Sequence, residues 1–532
     1  MTDIKTRYER ASRFLPGQVE HLVLNGDPVI RCSPAGVLYF ARESRLLDGS
    51  IKREFLSLER DGRTAPLFDT AKLCALLGVE GDTLPFSDCE FYDTSLKFTH
   101  RNVSCIWRFA DDNITQLPAP MPEETPSPNR ESDLWLRRWK TGEEIRLTWD
   151  GVEDCDYGRL VDYDASITMD RTGYVQHPLA IWSPDSRKFL TFKIDMRSVK
   201  KLYAIEAFDD PHSESIRPRL HSYRCPFPED SDRELPIVTL WLGDAEQGTL
   251  QQLDCEPYCF PLLLGNSSSS YARWLEDSSA VYFTWFSRGN KTARLYLCDA
   301  ETRKVRSLVE ESHDKFLNVG TGGTLDGFGN YRFSNFVTED KRYSFWQSER
   351  DGLARLYRYN NADGCCEGAV TPDGIIVQQL VQVDQERQQI YFMANNLPEY
   401  SDPYYHGLCR VNFDGTDFCL LTPEDGEHSV RIFPDCLADT WSRVDQPPVT
   451  VLRNRKGDLL CEVIRADISA LLEAGYVLPE RFHVIATDGE TPLYGILIRP
   501  ADMEEGKTYP FIDYIYGGMQ IANVPKAFTW KT

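Results

Sequence analysis

The sequence predicts a mainly β protein: a β-propeller of seven or eight blades, followed by the first strands of an α/β domain. Three observations point there. A strand, an Asp-centred turn and a second strand recur through the middle of the chain, long helical periodicity is scarce between them, and from Arg481 onward the strand pattern changes. The recurring unit appears as Ala180-Ile181-Trp182-Ser183-Pro184-Asp185-Ser186 before Phe189 to Phe192, and as Arg273 to Asp277 before Ala280 to Trp285. It returns as Phe336 to Asp340 before Tyr343 to Trp346, and as Val381 to Asp384 before Ile390 to Met393. A third strand often follows, as at Arg294 to Leu297, Arg355 to Arg358 and Gly407 to Val411. Asp277, Asp340, Asp384 and Asp435 are spaced about fifty residues apart, near the length of one four-stranded blade. An all-β architecture absorbs hundreds of residues as one unit. The expected organisation is an N-terminal segment over 1–21, the propeller over 22–465 and the opening of the next domain over 466–532. Helices are expected only near the N-terminus and over Ile468 to Ala474.

The C-terminal stretch carries the chemistry. Phe482 to Ala486 and Leu493 to Ile498 read as two strands around Asp488-Gly489, where glycine takes a positive φ at little cost. Tyr509-Pro510 leads into Phe511-Ile512-Asp513-Tyr514-Ile515-Tyr516, an apolar run expected to form a buried strand that ends in a tight turn at Gly517-Gly518.

The ordered set Asp488-Gly489, Gly495, Pro500, Tyr509-Pro510 and Tyr516-Gly517-Gly518 resembles the start of the α/β-hydrolase domain of the prolyl oligopeptidase family, in its dipeptidyl peptidase IV-like branch. The resemblance continues upstream. Trp182 to Ser186, Arg217-Pro218 with His221 to Arg224, Trp346 to Gly352 with Leu356-Tyr357, and Thr440 to Pro448 with Leu452-Arg453 match passages of that branch's propeller. It runs from about Gly151 to the C-terminus and is strongest after Trp346. Asp185, Asp351 and Asp445 within these passages are expected to cap turns by accepting from backbone N–H groups. The resemblance implies a serine-type peptidase for short peptides without a cofactor, with the propeller as a size filter and a homodimer in the complete protein. It also implies that Tyr516 donates its phenol to the oxyanion.

Such a hydrolase places its serine in a G-x-S-x-G elbow, followed by Asp and His. No G-x-S-x-G occurs in the sequence; Gly265-Asn266-Ser267-Ser268-Ser269 lacks the closing glycine. Only Met519 to Thr532 follow Gly518, too short for a crossover helix and the next parallel strand. The expectation is a truncated catalytic domain without its Ser/Asp/His triad, inactive alone, so whether this chain is itself an enzyme stays open.

Members of the branch that release dipeptides hold the substrate's α-ammonium with a Glu-Glu pair on a short helix, because a buried ammonium needs carboxylate partners. The corresponding stretch here, Gly151 to Asp162, has acids but no such pair. Glu153, Asp154 and Asp156 are the candidate substrate-binding residues, with a solvated acidic loop as the competing reading.

Composition narrows the partners. There are 82 acidic and 59 basic residues, a net charge of −23, which argues against nucleic acid or an anionic membrane. No run of eighteen apolar residues suggests a membrane helix, and the N-terminal MTDIKTRYERASRF lacks the apolar core of a secretory signal. The 15 cysteines are scattered; neither the Cys255/Cys259 spacing nor the adjacent Cys365 and Cys366 makes a metal site. Most are expected to be buried small hydrophobes, and a cytoplasmic location follows. The alternative function is a non-catalytic propeller that binds peptides or proteins.

Overall fold

In a computed structural model, the described residues are 4–79, 84–117, 127–130, 132–138, 141–159, 178–206, 218–260, 272–317, 335–515 and 523–530. Among them, eight antiparallel sheets follow one another along the chain, most of them four-stranded meanders. The first spans Arg31 to Pro66, the second Cys89 to Gln116 and the third Ser127 to Arg146. The fourth runs from Cys155 to Gln252, the fifth from Ala272 to Ser312 and the sixth from Phe336 to Ala369. The seventh covers Ile376 to Leu420 and the eighth Glu427 to Arg465.

Apolar packing joins the first sheet to the second and runs on from the third to the eighth. The third and fourth share a core at Leu134, Tyr157 and Phe189, and the fourth meets the fifth at Leu190, Leu240 and Phe283. A larger core, with Phe345 and Phe392, links the fifth, sixth and seventh; Tyr391 and Leu437 carry the contact into the eighth. The eighth sheet then packs on the first, with Cys436, Ala438 and Leu452 against Leu38, Phe40 and Leu56. That contact brings the last sheet back to the first, as in the propeller that the recurrence predicts. Where a sheet is covered on both faces, its second strand is a nearly continuous apolar run, as in Ala280–Phe286.

The Asp-centred turns form as expected at four positions. Asp185 accepts from the Arg187 N–H at 3.1 Å, Asp277 from Ser279 at 2.8 Å, Asp340 from Arg342 at 3.0 Å and Asp384 from Arg387 at 3.0 Å. Three of these hydrogen bonds span Ser186, Ser278 and Lys341, and Gln388 follows the fourth; all four residues have positive φ, where asparagine or glycine is the commoner choice. Asp351 and Asp445 differ from expectation. Asp351 accepts from the Tyr357 hydroxyl and from Arg355, and Asp445 lies between Arg443 and Arg481. Both are anchors for side chains rather than turn caps.

Two further expectations are corrected. A helix, Thr70–Leu77, stands between the first and second sheets, where only strands were expected. Asp69 caps it, accepting from Lys72 N–H at 3.0 Å, and Gly78 ends it at φ +66°. Its Leu73 and Cys74 fill the core between Phe55 and Trp107. The second correction concerns the C-terminal apolar run: Phe511 to Ile515 form no strand and are 76–87% exposed at Phe511, Ile512, Tyr514 and Ile515. A strand needs a hydrogen-bonded neighbour, and none of the described strands lies beside this run.

After the eighth sheet come a short helix, Ser469–Glu473, and a hairpin of Glu480–Ile485 with Pro492–Leu497, close to the expected positions. Asp488 accepts from the N–H groups of Glu490 and Thr491 and from the Thr491 hydroxyl, which holds its carboxyl down to about 2, while Gly489 takes φ +80°. The N-terminal segment belongs with this part of the molecule: Val19 and Val23 share a core with Ala466, Ile468, Leu471 and Phe528.

Candidate functional site between the propeller and the C-terminal hairpin

The first-strand edge of a propeller sheet borders the central channel, and in the fourth sheet that edge is split. Cys155–Tyr157 pairs with Lys193 to Asp195, whereas Ile181–Trp182 pairs with Phe189 and Leu190. The three candidate acids lie at the first of these two strands, Glu153 and Asp154 just before it and Asp156 within it.

Asp154 and Asp156 come together around arginine, while Glu153 stays in solvent. The Arg159 Nε is 2.7 Å from Asp156, and its Nη2 is 3.6 Å from Asp154. Arg224 approaches Asp154 from the other side at 2.5 Å and also donates to the carbonyls of Arg197 and Val199. Asp156 is buried, and burial raises its pKa against the opposing pull of Arg159. The two carboxylates are thus already partnered, and an incoming ammonium would have to compete with a guanidinium. Arg159 lies beyond the acids that the sequence singled out, and Arg224 stood in the sequence only as part of a propeller motif; charge balance around a buried aspartate is the signal that finds them.

An arm leaves the same sheet between Asp195 and Ile237. Lys201–Glu206 pairs with Arg219–Arg224 as a two-stranded ribbon. One of its faces carries Tyr203, Ile205 and Leu220, each at least 63% exposed.

The propeller meets the C-terminal hairpin through Arg481. Its guanidinium donates to Asp445 at 3.1 Å, to the Tyr405 hydroxyl at 3.0 Å and to Ser401 Oγ at 3.3 Å. Asp445 is partly buried, which by itself would raise its pKa, but Arg443 and Arg481 hold it below the usual carboxylate range. Below this joint the eighth sheet contains a buried ionic network. His428 Nδ1 is 2.8 Å from Asp439, Arg453 Nε is 3.0 Å from the other oxygen of Asp439, and Arg453 also pairs with Glu424. Tyr516, the candidate oxyanion donor, lies outside the described residues.

A family model for the dipeptidyl peptidase IV (DPP IV) N-terminal region matches residues 127–448. The chain belongs to that family. The match begins upstream of the Gly151 at which the sequence motifs become recognisable, and so takes in the third sheet. Human dipeptidyl peptidase 8 is 30% identical over 158 residues, covering 28% of this chain and 17% of that protein. Venom dipeptidyl peptidase 4 of Vespula vulgaris is 22% identical over 424 residues, 73% of this chain and 49% of the relative. The chain spans about half the length of such a relative at most. In fold, it is similar to the crystal structure of Porphyromonas gingivalis dipeptidyl peptidase 4, with TM-score 0.56 at 14% identity over 94% of this chain and 68% of the other. Among the described residues, no group of three or more His, Cys, Asp or Glu side chains is placed to hold a metal, and no helix is long and apolar enough to cross a membrane.

Proposed function

We propose that this chain supplies the propeller and the opening strands of the catalytic domain of a dipeptidyl peptidase IV-like serine peptidase acting on short peptides. The observation that carries this reading is the joint at Arg481: a propeller of the DPP IV family passes, through one short helix, into a hairpin anchored beside its eighth sheet. The exposed apolar run Phe511 to Ile515, which leads to Tyr516, supports it, because such a run suits a strand covered on both faces.

In this reading the catalytic serine attacks the peptide carbonyl with histidine as general base, and both belong to chain beyond these residues. Tyr516 donates its hydroxyl to the developing oxyanion beside a backbone N–H. Asp154 and Asp156 take the substrate's ammonium only if Arg159 yields, so dipeptide release is the weakest part of the proposal. The apolar face of the arm, at Tyr203, Ile205 and Leu220, is where the complete protein forms its homodimer. A cytoplasmic location rests on the scattered cysteines of the sequence.

Incubation with chromogenic Xaa-Pro and Xaa-Ala amides and with a fluorophosphonate probe tests the division of labour. The isolated chain is expected to show no turnover and no labelling. Labelling of one defined serine, abolished by its substitution, would overturn the proposal.

A further inference from the structure

Beside the Arg481 joint, the chain buries one of its own cations in a box that it did not need to build. Lys526 Nζ is 2.7 Å from Asp402, with the two side chains only 12% and 10% exposed. The same ammonium lies 4.8 Å from the centre of the Tyr404 ring and 5.8 Å from that of Tyr494. Those rings meet edge to face at 6.1 Å. One carboxylate and two aromatic rings, of which Tyr404 is 44% exposed, suit a compact cation on a thin apolar stem.

We propose that Asp402, Tyr404 and Tyr494 form a binding site for a primary alkylammonium group, which Lys526 of the same chain occupies in this structure. Asp402 and Tyr494 have anchors apart from Lys526. Asp402 Oδ1 accepts from the Tyr404 N–H at 2.9 Å, leaving Oδ2 for the cation, and Tyr494 is fixed by strand pairing with His483. The plug is of another kind. Lys526 sits in residues 523–530, which contain neither helix nor strand and are tied down by the buried Phe528 and its N–H bond to Ser442 Oγ at 3.0 Å. A cavity of about 260 Å³ opens beside the box, bordered by Asp402, Tyr494, His483 and Arg481, with room for the stem of a second ligand.

The ligand chemistry is that of a lysine side chain, whether on a peptide or as a free alkylamine, and a net charge of −23 raises the local concentration of either. The inference does not depend on the peptidase reading. While Lys526 fills the box, the apparent affinity for an external amine is reduced by the fraction of molecules in which the box is empty.

The test is a calorimetric titration of the full chain with n-butylammonium chloride against equal sodium chloride, for wild type, Lys526→Ala and the double variant Lys526→Ala with Asp402→Asn. Lys526→Ala is expected to bind butylammonium at least about tenfold more tightly than wild type, and the double variant to lose that gain. Nα-acetyl-lysine amide separates the two sources: binding equal to butylammonium indicates a peptide lysine, and weaker binding a free amine. If Lys526→Ala does not fold, Lys526→Ser, whose short side chain also empties the box, takes its place. Affinity no better than wild type in the folded single variant, or a gain that survives Asp402→Asn, would overturn the inference.

Discussion

Arg60 grips both oxygens of Asp435, its Nε at 3.1 Å and Nη2 at 2.8 Å, across 375 residues of sequence. The pair spans the seam where the first sheet meets the eighth. It does not hold the seam alone, because both side chains face solvent, and exposed ion pairs contribute only about 0–1 kcal/mol. Phe40 lies 2% exposed in the apolar core beneath. Phe40→Ala should therefore cost about 3–5 kcal/mol and Arg60→Ala less than about 1 kcal/mol. Urea unfolding of the two variants checks the ranking, and a larger loss for Arg60→Ala would make the seam electrostatic.

His428 provides a pH test. Burial pulls its pKa down, but Asp439 and Glu424 prevail and raise it. A histidine with a raised folded pKa stabilises fully below its unfolded value, about 6.5, and that contribution disappears as pH rises through the folded value. The stability gap between wild type and His428→Gln should be widest on the acidic side and narrow as pH rises. A gap that widens above neutrality would contradict the assignment of His428 as a cation paired with Asp439.

Arg481 is predicted to hold the C-terminal hairpin on the propeller. Arg481→Met keeps the apolar stem and removes every hydrogen bond to Asp445, Tyr405 and Ser401. Amide exchange over Glu480–Ile485 and Pro492–Leu497 should accelerate while the eighth sheet stays protected. Unchanged exchange in the hairpin would mean that other contacts seat it.

What was legible in the sequence was local. Asp185, Asp277, Asp340 and Asp384 each bond a backbone N–H two or three residues on, so the turn and the flanking strands show in a short window. Asp445 looked the same in sequence, but its second partner is Arg481, on a different element, and no local pattern carries that distance. The Thr70–Leu77 helix had its signals in place, Asp69 before it and Gly78 after it; at two turns its periodicity was too short to stand out from the strands around it. The run Phe511 to Ile515 shows the opposite limit. Apolar residues state a demand for burial without saying which strand meets it, and here none of the described strands does. The Lys526–Asp402 contact, 124 residues apart, was likewise beyond any motif.

The most direct test joins residues 1–532 to the remaining catalytic portion of a dipeptidyl peptidase relative and measures kcat on an Xaa-Pro amide, with Tyr516 intact and as Phe. The intact chimera should turn over substrate, and Tyr516→Phe should lower kcat about 10²–10³-fold, the usual cost of one oxyanion donor, with no change in thermal unfolding. An active chimera whose Phe variant keeps its full rate would contradict the oxyanion role, and a folded but inactive chimera would contradict the peptidase assignment itself.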